Sequence, residues 1–307
     1  MNFFDVCIPP RLNSDYQNIC TLYEQVDDIL SSLSEGDCVR FNFEQTTWFS
    51  AEMTVYLGMI ITCIKARKAA VKIGQKSMST GIRDILLKNQ FLNNYGTEYK
   101  LVDNYNTTIP YYVSWVEEIE QMEQYIDNKL LRQIQDKTSI EFLGEIKESL
   151  LEIIHNVRDH SESNTIYMCG QHYPRRPYGT EKGTINFAIA DCGIGLVKNI
   201  KKKNTDMGDV LNYFKWAFDK GTSTKNIKDS GVGLYELKNK LIGKGEIKII
   251  ANNGYYHIDK YGNINFEELH FDLPGTLVLI SFYLDYCQIN QNSATIDTTE
   301  KISNWFI

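Results

Sequence analysis

The chain of 307 residues has five histidines, six prolines and no Cys-x-x-Cys pair. Its seven cysteines, Cys7, Cys20, Cys38, Cys63, Cys169, Cys192 and Cys287, are scattered and odd in number. That pattern excludes a zinc spacing and argues for reduced thiols rather than a disulfide frame. A membrane-length apolar run is also missing, because the longest, Val55 to Ile64, is closed by Lys65 and Arg67. Basic excess is absent as well. A net charge of −7 makes a general grip on nucleic acid or anionic lipid unexpected. The local clusters Lys201-Lys202-Lys203 and Arg175-Arg176 read as solvated loop tips. The first residues, MNFFDVCIPPRLNSD, lack a basic segment followed by an apolar core, so a cytoplasmic location is expected.

What is present is a globular composition, 43% hydrophobic and 23% charged, arranged in two kinds of pattern. Ser14 to Leu33 carries a helical pattern, and Val39 to Phe43 alternates as a half-buried strand does. Ser50 offers an N-cap before the apolar positions Met53, Leu57, Ile60, Ile61 and Ile64. Ala70 to Ile73 returns as a strand, and a helix over Gly81 to Phe91 is closed by Asn93-Asn94-Tyr95-Gly96. These elements predict an α/β sandwich over residues 1–105.

Residues 97 to 112 are polar and irregular, with Pro110 as punctuation, and 106–137 is expected to be a linker and connecting helix. The helix, Trp115 to Gln135, has apolar positions at Val116, Ile119, Met122, Tyr125 and Ile126. A second α/β domain with mixed or antiparallel strands is expected over 138–286, with a tail over 287–307. It begins with a helix from Ser139 to Arg158 and continues with strands Thr165 to Gln171 and Thr184 to Asp191. A helix near Leu211 to Phe218, a glycine-rich loop and a helix over Leu234 to Ile242 follow, then strands Glu246 to Ala251 and Thr276 to Tyr283.

Four short segments carry candidate chemistry. In the first, Glu152 and Asn156 are four residues apart and share a helix face, with Asp159 and His160 one turn further. An Asn carbonyl is a hard oxygen suited to Mg²⁺, and a carboxylate one turn away can deprotonate an attacking water. The second is Asp191-Cys192-Gly193-Ile194-Gly195, directly after an apolar strand. Its aspartate can accept an adenine amino group, and its glycines permit close backbone approach. The third runs through Gly221, Thr222, Ser223, Thr224 and Lys225 to Gly231-Val232-Gly233-Leu234, a glycine-rich loop opening a helix and hence an anion site. It lacks the GxxxxGK[ST] form of a P-loop. The fourth is Pro274-Gly275-Thr276, opening a strand. Each segment alone has an ordinary structural explanation: a polar surface helix, a common turn, a flexible loop, a strand start.

The ordered set, ExxxN then DxGxG then GxGL then GT, resembles the GHKL ATPase superfamily of gyrase-type topoisomerases, heat-shock chaperones, mismatch-repair ATPases and histidine kinases. The resemblance covers residues 138 to 286. It implies a Bergerat α/β sandwich with a mixed sheet, binding ATP and Mg²⁺. It further implies Asn156 on the metal, Asp191 on adenine supported by Thr276, and Gly193 and Gly195 along the base. Asp159, Thr222, Ser223, Thr224, Lys225, Gly231, Val232, Gly233 and Leu234 fall among the implied nucleotide contacts, most of them in a mobile lid. Glu152 stands where hydrolysing members carry a general base.

No histidine precedes His155, which argues against a sensor-kinase acceptor helix. Val39 to Ile73 and the helix after it look like a STAS domain, the fold of anti-sigma-factor antagonists. Ser50-Ala51-Glu52-Met53 stands where that family has its Asp-Ser-Ser-Gly turn, so the acceptor serine is missing unless Ser50 or Thr54 replaces it. The leading expectation is a slow ATPase acting as a conformational switch on a protein partner, or on a second copy in a homodimer, through the STAS-like domain or lid. Slowness follows from the absence of a recognisable lysine for the γ-phosphate, a role left to Lys225. The rivals are an anti-sigma-factor-type serine/threonine kinase and a binding module with a vestigial pocket.

Overall fold

The computed structural model describes residues 1–136, 138–174, 183–203, 206–221, 233–285 and 287. The N-terminal part runs β1 (Phe3–Cys7), β2 (Arg11–Leu12), α1 (Tyr16–Ser32), β3 (Cys38–Asn42), β4 (Trp48–Phe49), α2 (Thr54–Ala66), β5 (Ala70–Ile73) and α3 (Thr80–Lys88). Strands β1, β3 and β5 form a parallel sheet in that order, the arrangement expected when helices connect successive strands. Ser50 does not cap α2. It precedes a 3₁₀ turn, Ala51–Met53, and its side chain makes no capping bond.

The rest of the chain supplies β6 (Thr108–Trp115), α4 (Ile119–Tyr125), α5 (Ile140–His160), β7 (Thr165–Tyr173), β8 (Thr184–Asp191), α6 (Leu196–Lys203), α7 (Val210–Ala217), α8 (Gly233–Leu241), β9 (Gly245–Ile258) and β10 (Ile264–Tyr283). The five strands form one sheet, ordered β6-β7-β8-β10-β9. Every neighbouring pair is antiparallel, one of the two arrangements expected from the strands themselves, which corrects the mixed sheet that the Bergerat resemblance implies. Parallel pairing belongs to the N-terminal strands.

The expected linker is also corrected. Thr108–Trp115 is the edge strand of the sheet, and its register against β7 shifts between Ile109 and Tyr112, around Pro110. An edge or a bulge is where a strand tolerates proline, which has no N–H to donate. The long helix expected from Trp115 is correspondingly short. Only Ile119–Tyr125 is α-helical, followed by a π turn over Ile126–Leu130 and a 3₁₀ turn over Leu131–Gln133.

Period-two alternation sends successive sheet residues to opposite layers. Met168, Phe187, Ile189, Val278 and Ile280 face one core with α5, α7 and α8. Tyr167, Cys169, Ala188, Ala190, Leu277 and Leu279 face the other, which is shared with the N-terminal helices. Helix α2 lies within that second layer, with Thr54 to Ile61 all buried. A helix apolar on all sides is one covered on all sides. Gly58 permits the closest approach, since a β-carbon there would collide with the Tyr111 hydroxyl. Among the described residues no helix is long and apolar enough to cross a membrane.

Candidate functional site

Helix α5 begins where the sequence places it. Ser139 Oγ accepts the Phe142 N–H at 3.2 Å, and the apolar stripe Ile146, Leu150, Ile153, Ile154 and Val157 is buried against the sheet. Glu152 and Asn156 lie beside this stripe, half-buried. Next to them β8 ends at Asp191, which is 1% exposed. Its Oδ1 accepts the Gly193 N–H at 2.7 Å, and the Thr276 backbone N–H, from the paired position on β10, also donates to the carboxylate. Burial pushes this carboxyl up to about 7, and the two backbone bonds only partly oppose it.

One cleft brings the separated segments together. Asn156, Asp191, Gly195, Gly233, Leu234 and Thr276 all line it, and Ile153, Val157, Ile189, Ile249 and Val278 give it apolar walls. Its empty space, open mouth included, is about 920 Å³. Small-molecule pockets are mostly apolar with a few convergent polar groups, and the lining of this cleft has that character. A buried carboxyl held only by backbone donors at an apolar cleft is suited to a ligand that brings an N–H of its own.

Four expected residues differ in place or in the part that makes the contact. Gly193 is not in the cleft lining. It packs against the carbonyl of Ser161, where a β-carbon would have no room, and its N–H holds Asp191. Asp159 is exposed and paired with Arg158 at 2.6 Å, while His160 on the other flank of the turn lines the cleft. Thr276 reaches Asp191 through its backbone. Glu152 stands behind the lining and against α8, where Gly233 meets its side chain. Thr222, Ser223, Thr224, Lys225, Gly231 and Val232 lie outside the described residues.

Asn252 was not anticipated. It is 2% exposed and adopts a φ of 53°, the left-handed region that asparagine tolerates better than most residues. Its Oδ1 accepts the Val197 N–H at 3.1 Å, and its Nδ2 donates to the Ile194 carbonyl at 2.9 Å and to Asp272 Oδ1 at 3.2 Å. The side chain therefore clamps the turn that carries Gly195 into the cleft. Gly195 has φ +82°, and a β-carbon there would sit 2.5 Å from Asn252 Oδ1. The signal in the sequence was Asn252-Asn253-Gly254, a turn-forming triplet inside an otherwise apolar strand.

The turn Ser50-Ala51-Glu52-Met53 is buried between the two halves of the chain. Glu52 accepts the Tyr173 hydroxyl at 3.0 Å and an Asn186 N–H at 3.1 Å, and burial pushes its carboxyl up. Thr54 is fully buried and accepts from Asn89 at 2.9 Å.

Among the described residues no three His, Cys, Asp or Glu side chains cluster as a metal site. The chain matches no protein-family model and no curated protein sequence.

Proposed function

We propose that the cleft binds ATP with Mg²⁺, that the second half of the chain is a Bergerat-type ATPase domain, and that slow hydrolysis resets a conformational switch. The observation that carries the reading is convergence: Asn156, Asp191, Gly195, Gly233 and Thr276, drawn from four separated segments, line one cleft. Asp191 would accept the adenine amino group, with the apolar walls against the ring. The start of α8 at Gly233 and Leu234 would offer its N-terminal N–H groups to the phosphates. Asn156 is the one residue assigned to the metal, so phosphate oxygens and waters would complete a shell that Mg²⁺ commonly keeps partly hydrated. When bound there, the ion would neutralise charge developing on the transferred phosphoryl group. Glu152, one turn before Asn156, would orient and deprotonate the attacking water.

The STAS-like reading of residues 1–105 remains part of this proposal as a docking unit. Its helices α1 and α2 already lie on the sheet of the same chain. Burial of Ser50 and Thr54 disfavours both as phosphate acceptors, and with them autophosphorylation of the STAS-like unit.

Calorimetry with ATP and Mg²⁺, followed by phosphate release from the parent and Glu152→Ala proteins, tests the proposal. Saturable heat and a fall in turnover of about 100-fold, with affinity held within threefold, are expected. Absence of heat would refute nucleotide binding, and unchanged turnover in the variant would refute the general base.

A further inference from the structure

The turn after β8 has a second side, away from the nucleotide cleft. There it meets α1 and α2 across a surface crevice whose lining includes Tyr23, Cys63, Arg67, Cys192, Lys198 and Asp272. Cys63 and Cys192 are both partly exposed, whereas Cys20, Cys38, Cys169 and Cys287 are buried. The Cys192 thiol contacts the carbonyl of Met59 at 3.9 Å, one turn before Cys63 on α2. Cys63 and Cys192 line the same crevice, Cys192 from the turn and Cys63 from the next turn of the helix. The neighbouring Cys192, aided by the Arg67 guanidinium, holds the Cys63 thiol below its usual range, while Cys63 and burial push Cys192 up. A partly exposed thiol held below its usual range, with a second thiol lining the same crevice, is the arrangement of a peroxide-reactive cysteine and its resolving partner.

We propose that Cys63 and Cys192 are a redox modification site, oxidised by a hydroperoxide to a disulfide that fixes the Asp191 turn to α2. The Cys63 thiolate attacks the peroxide, the O–O bond breaks, and a sulfenic acid forms while water or an alcohol leaves. The Cys192 sulfur then displaces the sulfenic oxygen, which leaves as water with the Cys192 proton. Two thiols and one hydroperoxide thus yield one disulfide, one alcohol or water from the peroxide, and one further water. Cys192 stands between Asp191 and Gly193, whose mutual hydrogen bond shapes the floor of the cleft. Drawing the Cys192 sulfur to bonding distance displaces that turn, so oxidation lowers nucleotide affinity. This regulatory half rests on the nucleotide reading, and the thiol chemistry does not.

The test oxidises the full chain with equimolar hydrogen peroxide under native conditions, alkylates remaining thiols, digests and weighs the peptides. A Cys63–Cys192 cross-linked pair, lighter by two hydrogens and released by dithiothreitol, is expected in the parent and absent in Cys63→Ser. Failure to find the pair in the parent overturns the site. Calorimetry on the same samples should show ATP affinity at least tenfold weaker after oxidation and restored by reductant. Unchanged affinity in cross-linked protein overturns the regulatory half. If the reduced protein binds no ATP, the nucleotide reading fails, and the cross-link alone still decides the thiol chemistry.

Discussion

Gly233, the first residue of α8, lies directly against Glu152, so that a β-carbon at 233 would run into the Glu152 Cγ and Cβ. The residue that opens the helix proposed to face the phosphates therefore also sets where the proposed base can stand. Glu152 can yield only by leaving its rotamer or by pushing α8 off α5.

Gly233→Ala is accordingly expected to lower ATP turnover at least tenfold and to cost about 1–3 kcal/mol through overpacking. Enzyme-coupled phosphate release and urea unfolding measure the two effects. Gly144→Ala is the matched control, lying on α5 with open space where its β-carbon would go. It should raise stability by about 0.5–1 kcal/mol through helix propensity alone and leave turnover unchanged. A Gly233→Ala protein as active as the parent would mean that Glu152 does not depend on its neighbour.

Asp191 supplies a pH dependence whose sign is fixed by its environment. Its carboxyl is raised from 3.8 to about 7 by burial, so the folded chain holds a proton that the unfolded chain has lost. The stability gained is complete below the unfolded value and disappears as pH rises through 7. Between pH 6 and 8 the parent should therefore lose about 1 kcal/mol relative to Asp191→Asn, which has no such proton. Urea midpoints of both proteins at the two pH values give the comparison. Parallel pH profiles would show that Asp191 titrates as an ordinary exposed carboxylate.

Glu52 behaves in the same direction at the junction between the halves. Burial raises its carboxyl, so its contribution is complete below the ordinary carboxylate range and is lost as pH rises through the raised value. Glu52→Gln keeps an acceptor for the Tyr173 hydroxyl without charge and should be more stable than the parent at pH 8. Glu52→Ala should be about 1–3 kcal/mol less stable, because the buried groups facing it lose their acceptor. Thermal melts of the three proteins at one pH separate these outcomes.

Much of the architecture was readable wherever one local rule dominated. Helix α5 announced itself through Ser139 and a clean apolar stripe, and β8 through an apolar run ending in Asp191. The order of the four polar segments carried the cleft, because each sits at the end of an element whose type could be read. Strand β6 was hidden because Pro110 mimics a linker, and only pairing with β7 makes Thr108–Trp115 a strand. The choice between Asp159 and His160 could not be read either. Both lie one turn beyond Asn156, on opposite flanks of its face, and tertiary packing decides which flank meets the cleft. Nor does any pattern reveal that the five-stranded sheet is covered by the chain's own N-terminal half.

Asn252 offers the sharpest test of how the cleft is held. Its amide joins the Ile194 carbonyl, the start of α6 and Asp272, so three separate pieces of backbone and side chain depend on it. Asn252→Ala would leave the Val197 N–H and the Ile194 carbonyl without their side-chain partner in a buried place, and would also put a less tolerant residue at φ 53°. About 2–4 kcal/mol is expected from the lost bonds and the backbone together. Asn252→Asp preserves the acceptor toward Val197 but turns the donor side into a second acceptor facing Ile194 and Asp272. It should therefore destabilise the fold most at neutral pH and recover as acid protonates the new carboxyl. Chemical unfolding of the three proteins at pH 5 and 7 measures both effects. If the two variants match the parent, the turn carrying Gly195 is held by something other than this amide.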